Sequence, residues 1–203
     1  MAEVRIKPWV TQALILVNAA VFVVELMNGA NFMAPTAVDM VKLGGSFPPF
    51  VHEGQWWRLG TSMFLHFGIL HLGLNMLCLY QARIVEAIFG HARMLAIYLV
   101  AGLGGGFACL YFGAENAVTV GASGAVFGIY GAFAAFLLVR RSAIPPAVWH
   151  PLARSLGSFF VLNLVVGLAS EGVSLTAHIG GLIAGASFAT GMTLVQRRRA
   201  ARG

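Results

Sequence analysis

The sequence predicts an all-α polytopic membrane protein, a six-transmembrane-helix bundle with a long outside loop between helices 1 and 2. Three observations predict it. Hydrophobic residues make up 59% of the 203 and charged residues only 10%, with a mean hydropathy of +0.82, far from the balance of a soluble domain. The apolar residues gather in runs long enough to cross a bilayer, where barrel strands would alternate in shorter segments. The basic residues fall overwhelmingly on one side of those runs.

The spans fall at roughly 9–28, 63–82, 94–113, 117–139, 155–170 and 173–195, and residues 1–203 read as one membrane-embedded domain. The first run lacks a small-residue cleavage site and is too long for a signal-peptide core, so it reads as a retained span. An outside connection of about 34 residues, 29–62, follows it. It contains FPPF and GQWWRLG and is too long for a turn, which makes it a candidate functional element. Trp56 and Trp57 within it read first as aromatic anchors at the membrane interface. The fifth span is short and follows PP and HP, as suits a tilted, irregular or mobile helix.

Of the 13 Lys and Arg residues, eleven lie in inside segments if the N-terminus is cytoplasmic: Arg5, Lys7, Arg83, Arg93, Arg140, Arg141, Arg154, Arg197, Arg198, Arg199 and Arg202. Only Lys42 and Arg58 lie outside. This asymmetry puts both termini in the cytoplasm, and the Arg-rich tail on a compact chain fits a bacterial inner membrane. The acidic outside residues Asp39, Glu53, Glu115 and Glu171 are weak topology signals. The net charge of +6 therefore speaks of membrane orientation and not of nucleic acid. Cys78 and Cys109 both fall inside apolar runs and read as small buried hydrophobes.

Spans two, four and six enter from the outside face and carry His71 with Asn75, Ser123, and His178. At a rise of ~1.5 Å per residue, Ser123 and His178 each lie about 7 to 10 Å below the outer boundary. Polar groups at that depth are costly unless paired or functional. Gly121, Gly124, Gly128 and Gly131 strip the first turns of the serine helix, with Gly124 and Phe127 on roughly the serine's face. His178, Gly181 and Gly185 share a face of span six, with Gly180 beside them. Small faces allow close backbone approach, which a Ser hydroxyl needs to reach an imidazole at ~2.6 to 3.2 Å. Packing alone also explains these glycines, and the two readings are compatible. His71 and Asn75, at i and i+4, point the same way. They suit either hydrogen bonds to a neighbouring helix or donation to a developing oxyanion together with the Ser123 backbone N–H.

Other chemistry finds little support. His66 and His71 are five apart, poor spacing for one-face chelation, and no HExxH occurs, so no metal is expected. His52, His91 and His150 read as surface or interfacial groups. GASGA is not the G-x-S-x-G elbow, since Ala125 stands where glycine is needed, and GLGGGF, Gly102 to Phe107, lacks dinucleotide-loop spacing. Glu25, Asp39, Glu53, Glu115 and Glu171 all read as lying in or near outside loops. A Ser/His dyad without a third acid is therefore the expected arrangement.

These residues resemble the rhomboid family of intramembrane serine proteases over about residues 9–195. The pieces are Trp57-Arg58 in the first loop, HFGILHLGLN from His66 to Asn75, GASG from Gly121 to Gly124, and AHIGGLIAG from Ala177 to Gly185. The resemblance implies the minimal six-span bacterial-type core, with no soluble domain before the first span. It implies that Ser123 attacks a peptide bond in or near the outer end of a substrate's transmembrane segment, with His178 as base and then acid. His71, Asn75 and the Ser123 N–H would form the oxyanion hole, with Gly121, Gly124, Phe127 and Gly181 as support and Trp57 and Arg58 helping to fix the first loop. It also implies a first loop partly in the outer leaflet and a fifth span and outside cap that move to admit substrate. Position 127 departs from the pattern: the family often has Tyr stacked on the histidine, and Phe127 offers the ring without the hydroxyl. A transmembrane protein substrate and the bilayer are the expected partners, and no cofactor is implied.

Two other classes fit the sequence less well. A transporter or channel would explain polar residues at depth, but no acid or Lys stands in the middle of a span and the polar set clusters near one face. A substrate-binding relative without activity should have lost Ser123 or His178, and both are retained.

Overall fold

The computed structural model describes residues 7–169 and 174–200, with side chains described for 7–163 and 174–195. Apart from an isolated antiparallel bridge between Ser46 and Thr119, its regular structure among the described residues is helical. The helices are α1 (Trp9–Met27), α2 (Ala37–Lys42), α3 (Pro48–His52), α4 (Arg58–Thr61), α5 (Ile69–Gln81), α6 (Arg83–Phe89), α7 (His91–Phe112), α8 (Ser123–Val139), α9 (Pro146–Ala169) and α10 (Leu175–Ala200). Among the described residues, four stretches are long and apolar enough to cross a membrane: Trp9–Met27, Ile69–Phe89, His91–Phe112 and Leu175–Val195. The apolar α8 is shorter, at 17 residues.

The burial pattern of α1 is that of a lipid-facing helix. Its inward stripe is Thr11, Leu14, Asn18, Phe22 and Glu25, whereas Leu16, Val17, Val23 and Val24 are exposed. A soluble helix would show the reverse. The polar groups of the stripe are used inside the protein: Asn18 Nδ2 donates to Leu14 O at 2.7 Å, and Thr11 donates its hydroxyl to the Glu86 carboxylate. Glu86, on α6, also accepts the Val10 and Thr11 N–H groups at 2.8 Å each. These are donors with no partner inside their own helix, so one buried carboxylate caps α1 from a neighbouring element. His91 Nδ1 lies 2.6 Å from the same carboxylate, so this histidine, expected as an ordinary interfacial group, is half of a structural pair.

The centre of the bundle is α8 enclosed by α7 and α10. Side chains here are small because the backbones touch: a Cβ at Gly181 or Gly185 of α10 would run into the carbonyl of Gly124 or Gly128 of α8. On the other side, a Cβ at Gly105 of α7 would stand 2.8 Å from Ala177 O and 3.5 Å from the Gly124 Cα. The small-residue faces of spans four and six therefore meet each other, and GLGGGF of α7 completes the seam.

Helix ends differ from expectation in three places. Residues 62–68 precede the second span as a short 3₁₀ turn, Ser62–Phe64, and a bend, because Gly68 at φ +88° starts α5. The fourth helix begins at Ser123 and not at residue 117, since Thr119 is drawn into the bridge with Ser46. A helical rise cannot then be counted through residues 117–122 to give the depth of Ser123. The fifth helix begins at Pro146, where a proline suits the first turn, and continues past Pro151. The ends drawn at 170 and 173, Glu171, Arg5 and Arg202 lie outside the described residues, and so do the side chains of Arg197, Arg198 and Arg199.

The first loop is a folded element. Arg58 is 7% exposed and spans it, donating to Val41 O at 2.7 Å, Gly45 O at 3.0 Å and Gln55 Oε1 at 2.7 Å. Its guanidinium lies over Trp57 at 4.7 Å and Phe50 at 5.1 Å. Trp56 and Trp57 remain about half exposed, as interfacial rings would be. Thr36 and Asp39 cap α2 reciprocally, and the hydrogen bonds from Thr36 hold the Asp39 carboxyl below the usual carboxylate range.

Candidate active site

Ser123 is the first residue of α8, so its N–H has no acceptor within the helix. The chain reaches it through Gly121, at φ +122°, a conformation few other residues adopt. A Cβ there would also fall 2.7 Å from His71 Cε1 and 2.9 Å from His71 Nε2, with Ser123 Oγ 3.8 Å away. Gly121 is thus the gap into which the His71 ring fits beside the serine. The approach strand is held from the first loop: Ser46 and Thr119 exchange backbone bonds at 3.1 and 2.8 Å, and the Gly121 N–H donates to Ser62 O at 2.9 Å. Ser46, Ser62 and Thr119 were not singled out by sequence, because their part is played by backbone atoms.

The His71 ring has a defined tautomer. Its Nδ1 accepts the Phe67 N–H at 3.2 Å, which places the ring proton on Nε2, on the edge of the ring that lies against Gly121. His71 is therefore a donor at the Gly121 edge of the cavity that Ser123 also lines. Asn75 is buried one turn further on, with Nδ2 donating to His71 O at 2.9 Å. One amide hydrogen is committed within its own helix, and the other has no partner among the described residues.

His178 stands in the first turn of α10, its N–H bonded to Ser174 O at 3.2 Å. The Ser174 hydroxyl accepts the Ala177 N–H at 3.1 Å and so caps the helix. Its imidazole is stacked on Phe127 of α8, with centroids 4.0 Å apart and planes 9° from parallel. Phe127 in turn meets Phe159 and Phe160 of α9, and Phe159 stacks on Tyr130. An aromatic cluster thus fixes the histidine without any hydroxyl at position 127. His178 Nε2 is buried and has no hydrogen-bond partner among the described residues; bonds of this kind commonly tighten only when substrate is bound.

A cavity is lined by Ser123, His71, Gly121, Gly124, Ser62 and Ser174, among others. Ala177 also lines it, whereas His178 and Asn75 do not. Phe127 and Gly181 lie on the α8–α10 seam, and Trp57 and Arg58 brace the loop above.

Fold and site together define a polytopic helical membrane protein with a serine and a histidine near the starts of two glycine-packed helices. A family model for the Rhomboid domain matches residues 53–196, and the chain belongs to the rhomboid family. It is 33% identical to rhomboid protease GluP of Bacillus subtilis over 88% of this chain and 34% of that protein. RHOMBOID-like protein 6, mitochondrial, of Arabidopsis thaliana is 31% identical over 93% of this chain and 69% of its own length. Rhomboid protease AarA of Providencia stuartii is 29% identical over 93% and 74%. The chain thus spans about a third of the Bacillus relative and about two thirds of the mitochondrial one.

Proposed function

We propose that the chain is an intramembrane serine endopeptidase that hydrolyses a peptide bond in or near the outer end of a substrate's transmembrane segment. The observation that carries this reading is an oriented imidazole, His178 stacked on Phe127, together with a second imidazole, His71, that carries its proton on Nε2 and lines the same cavity as Ser123. The relatives named as rhomboid proteases support the same class of activity.

In this reading Ser123 Oγ attacks the scissile carbonyl carbon while its proton passes to His178 Nε2. The carbonyl oxygen gains negative charge and is held by His71 Nε2–H, the Ser123 N–H and the free amide hydrogen of Asn75. His178, now protonated, gives its proton to the leaving amine as the C–N bond breaks. Water then attacks the acyl-serine with His178 again as base, releasing the acid and restoring the serine. The start of α8 at Ser123 keeps this chemistry at the end of a helix, where outside water can enter. The six crossings with both termini in the cytoplasm, and a bacterial inner membrane, belong to the same proposal.

The test is cleavage of a model transmembrane substrate in proteoliposomes. Ser123→Ala and His178→Ala should each abolish turnover while leaving the unfolding temperature near that of the parent. Substantial turnover by either variant would remove the dyad.

A further inference from the structure

We infer that Glu25, a carboxyl buried in α1, is a positioning residue that fixes the His71 imidazole by anchoring the His66–Gly68 turn. The inference rests on the reading of His71 as an oxyanion donor. Sequence alone places Glu25 near an outside loop, but it closes the inward stripe of the helix and is 1% exposed. A carboxyl at such a site in a membrane helix needs a reason.

The hydrogen bond that the carboxyl accepts supplies it. Glu25 Oε1 accepts the His66 N–H at 3.0 Å, while Oε2 is buried with no hydrogen-bond partner among the described residues. The following N–H groups are each taken by a different acceptor: Phe67 by His71 Nδ1 at 3.2 Å, Gly68 by His66 O at 2.8 Å, and Ile69 by Phe32 O at 2.9 Å. Within this series Glu25 is the one side chain reaching in from another helix. Holding the His66 peptide restrains how the next peptide is turned, and that next peptide carries the Phe67 N–H that sets the His71 tautomer. A second contact acts in parallel. The fully buried His66 ring, its Nδ1 3.1 Å from Phe64 O, meets the His71 ring edge-on at 5.2 Å and 65°.

What matters in this account is the acceptor oxygen and not the charge, and the two are separable. Glu25→Gln keeps a carbonyl at the position of Oε1; Glu25→Leu and Glu25→Ala remove it, the latter without added bulk should Leu fail to fold. Cleavage of a model transmembrane substrate is measured for each, alone and with His71→Ala, alongside the ¹⁵N spectrum of histidine-labelled protein. Glu25→Gln should stay within about threefold of the parent, whereas Leu or Ala should lower kcat by about tenfold or more at unchanged KM. That loss should shrink to about twofold or less in the His71→Ala background, because the two act as one unit. The His71 ring should show its proton on Nε2 in the parent and lose that preference in Leu or Ala. An equal loss in both backgrounds, a Gln variant as impaired as Leu, or an unchanged tautomer in Leu and Ala would overturn the inference. If the parent cleaves nothing, the protease reading fails, and the tautomer measurement still decides the role of Glu25.

Discussion

The decisive residues are those whose shape makes room for another. Gly121 has to lack a side chain because the His71 ring occupies the space, and Phe127 has to be flat because the His178 ring lies on it. An aromatic stack of this kind contributes about 0.5–1.5 kcal/mol. Phe127→Ala should therefore lower kcat several-fold through a disordered histidine, while Phe127→Tyr should retain activity within about twofold; equal activity in all three would show that the stack has no part in orienting His178. Ser123, His178, His71, Asn75 and Phe127 stand out in the sequence as candidates because residue type and helical spacing carry their signal. Glu25 and Glu86 do not. Whether a carboxyl near a span end faces water or the protein depends on which way its helix turns, and only packing against α5, α6 and α7 decides that.

At the scale of elements, the α7–α8–α10 seam is built from backbone contacts that a single methyl group disturbs. Gly181 faces the Gly124 carbonyl one residue beyond the serine. Gly181→Val should therefore separate α10 from α8, lowering stability by about 1–3 kcal/mol as overpacking does and impairing cleavage more than the instability alone explains. A variant with the parent's unfolding temperature and turnover would refute close packing at this point. The number and order of the long helices could be read from hydropathy, but the start of α8 could not. Val118 and Val120 look like helix to a hydropathy window, yet Ser46 of the first loop captures Thr119 in a bridge and the helix begins only at Ser123, after a turn at Gly121. Non-helical chain at membrane depth is tolerable where it is enclosed by protein, and sequence periodicity carries no sign of that enclosure. The first loop is a candidate functional element by its length, and the family resemblance already gives Arg58 a part in fixing it, but the partners it holds, Val41 O, Gly45 O and Gln55 Oε1, follow only from packing.

For the whole molecule, the reading joins orientation to chemistry: the starts of α8 and α10 must open on the face away from the basic segments. Reporter fusions after Arg141 and at the C-terminus should both report the cytoplasm, and one in the first loop near Glu53 the opposite side; a reversed pattern would place the serine on the cytoplasmic face. The central claim is that burial has assembled an activated serine from groups that sequence spreads over more than 100 residues, from His71 to His178. It is tested most directly by treating the purified, detergent-solubilised protein with a fluorophosphonate and locating the modified residue by mass spectrometry, with His178→Ala as control. The account predicts a phosphonylated Ser123 in the parent and none in the control. An unmodified Ser123 in protein that also fails to cleave a transmembrane substrate would contradict it.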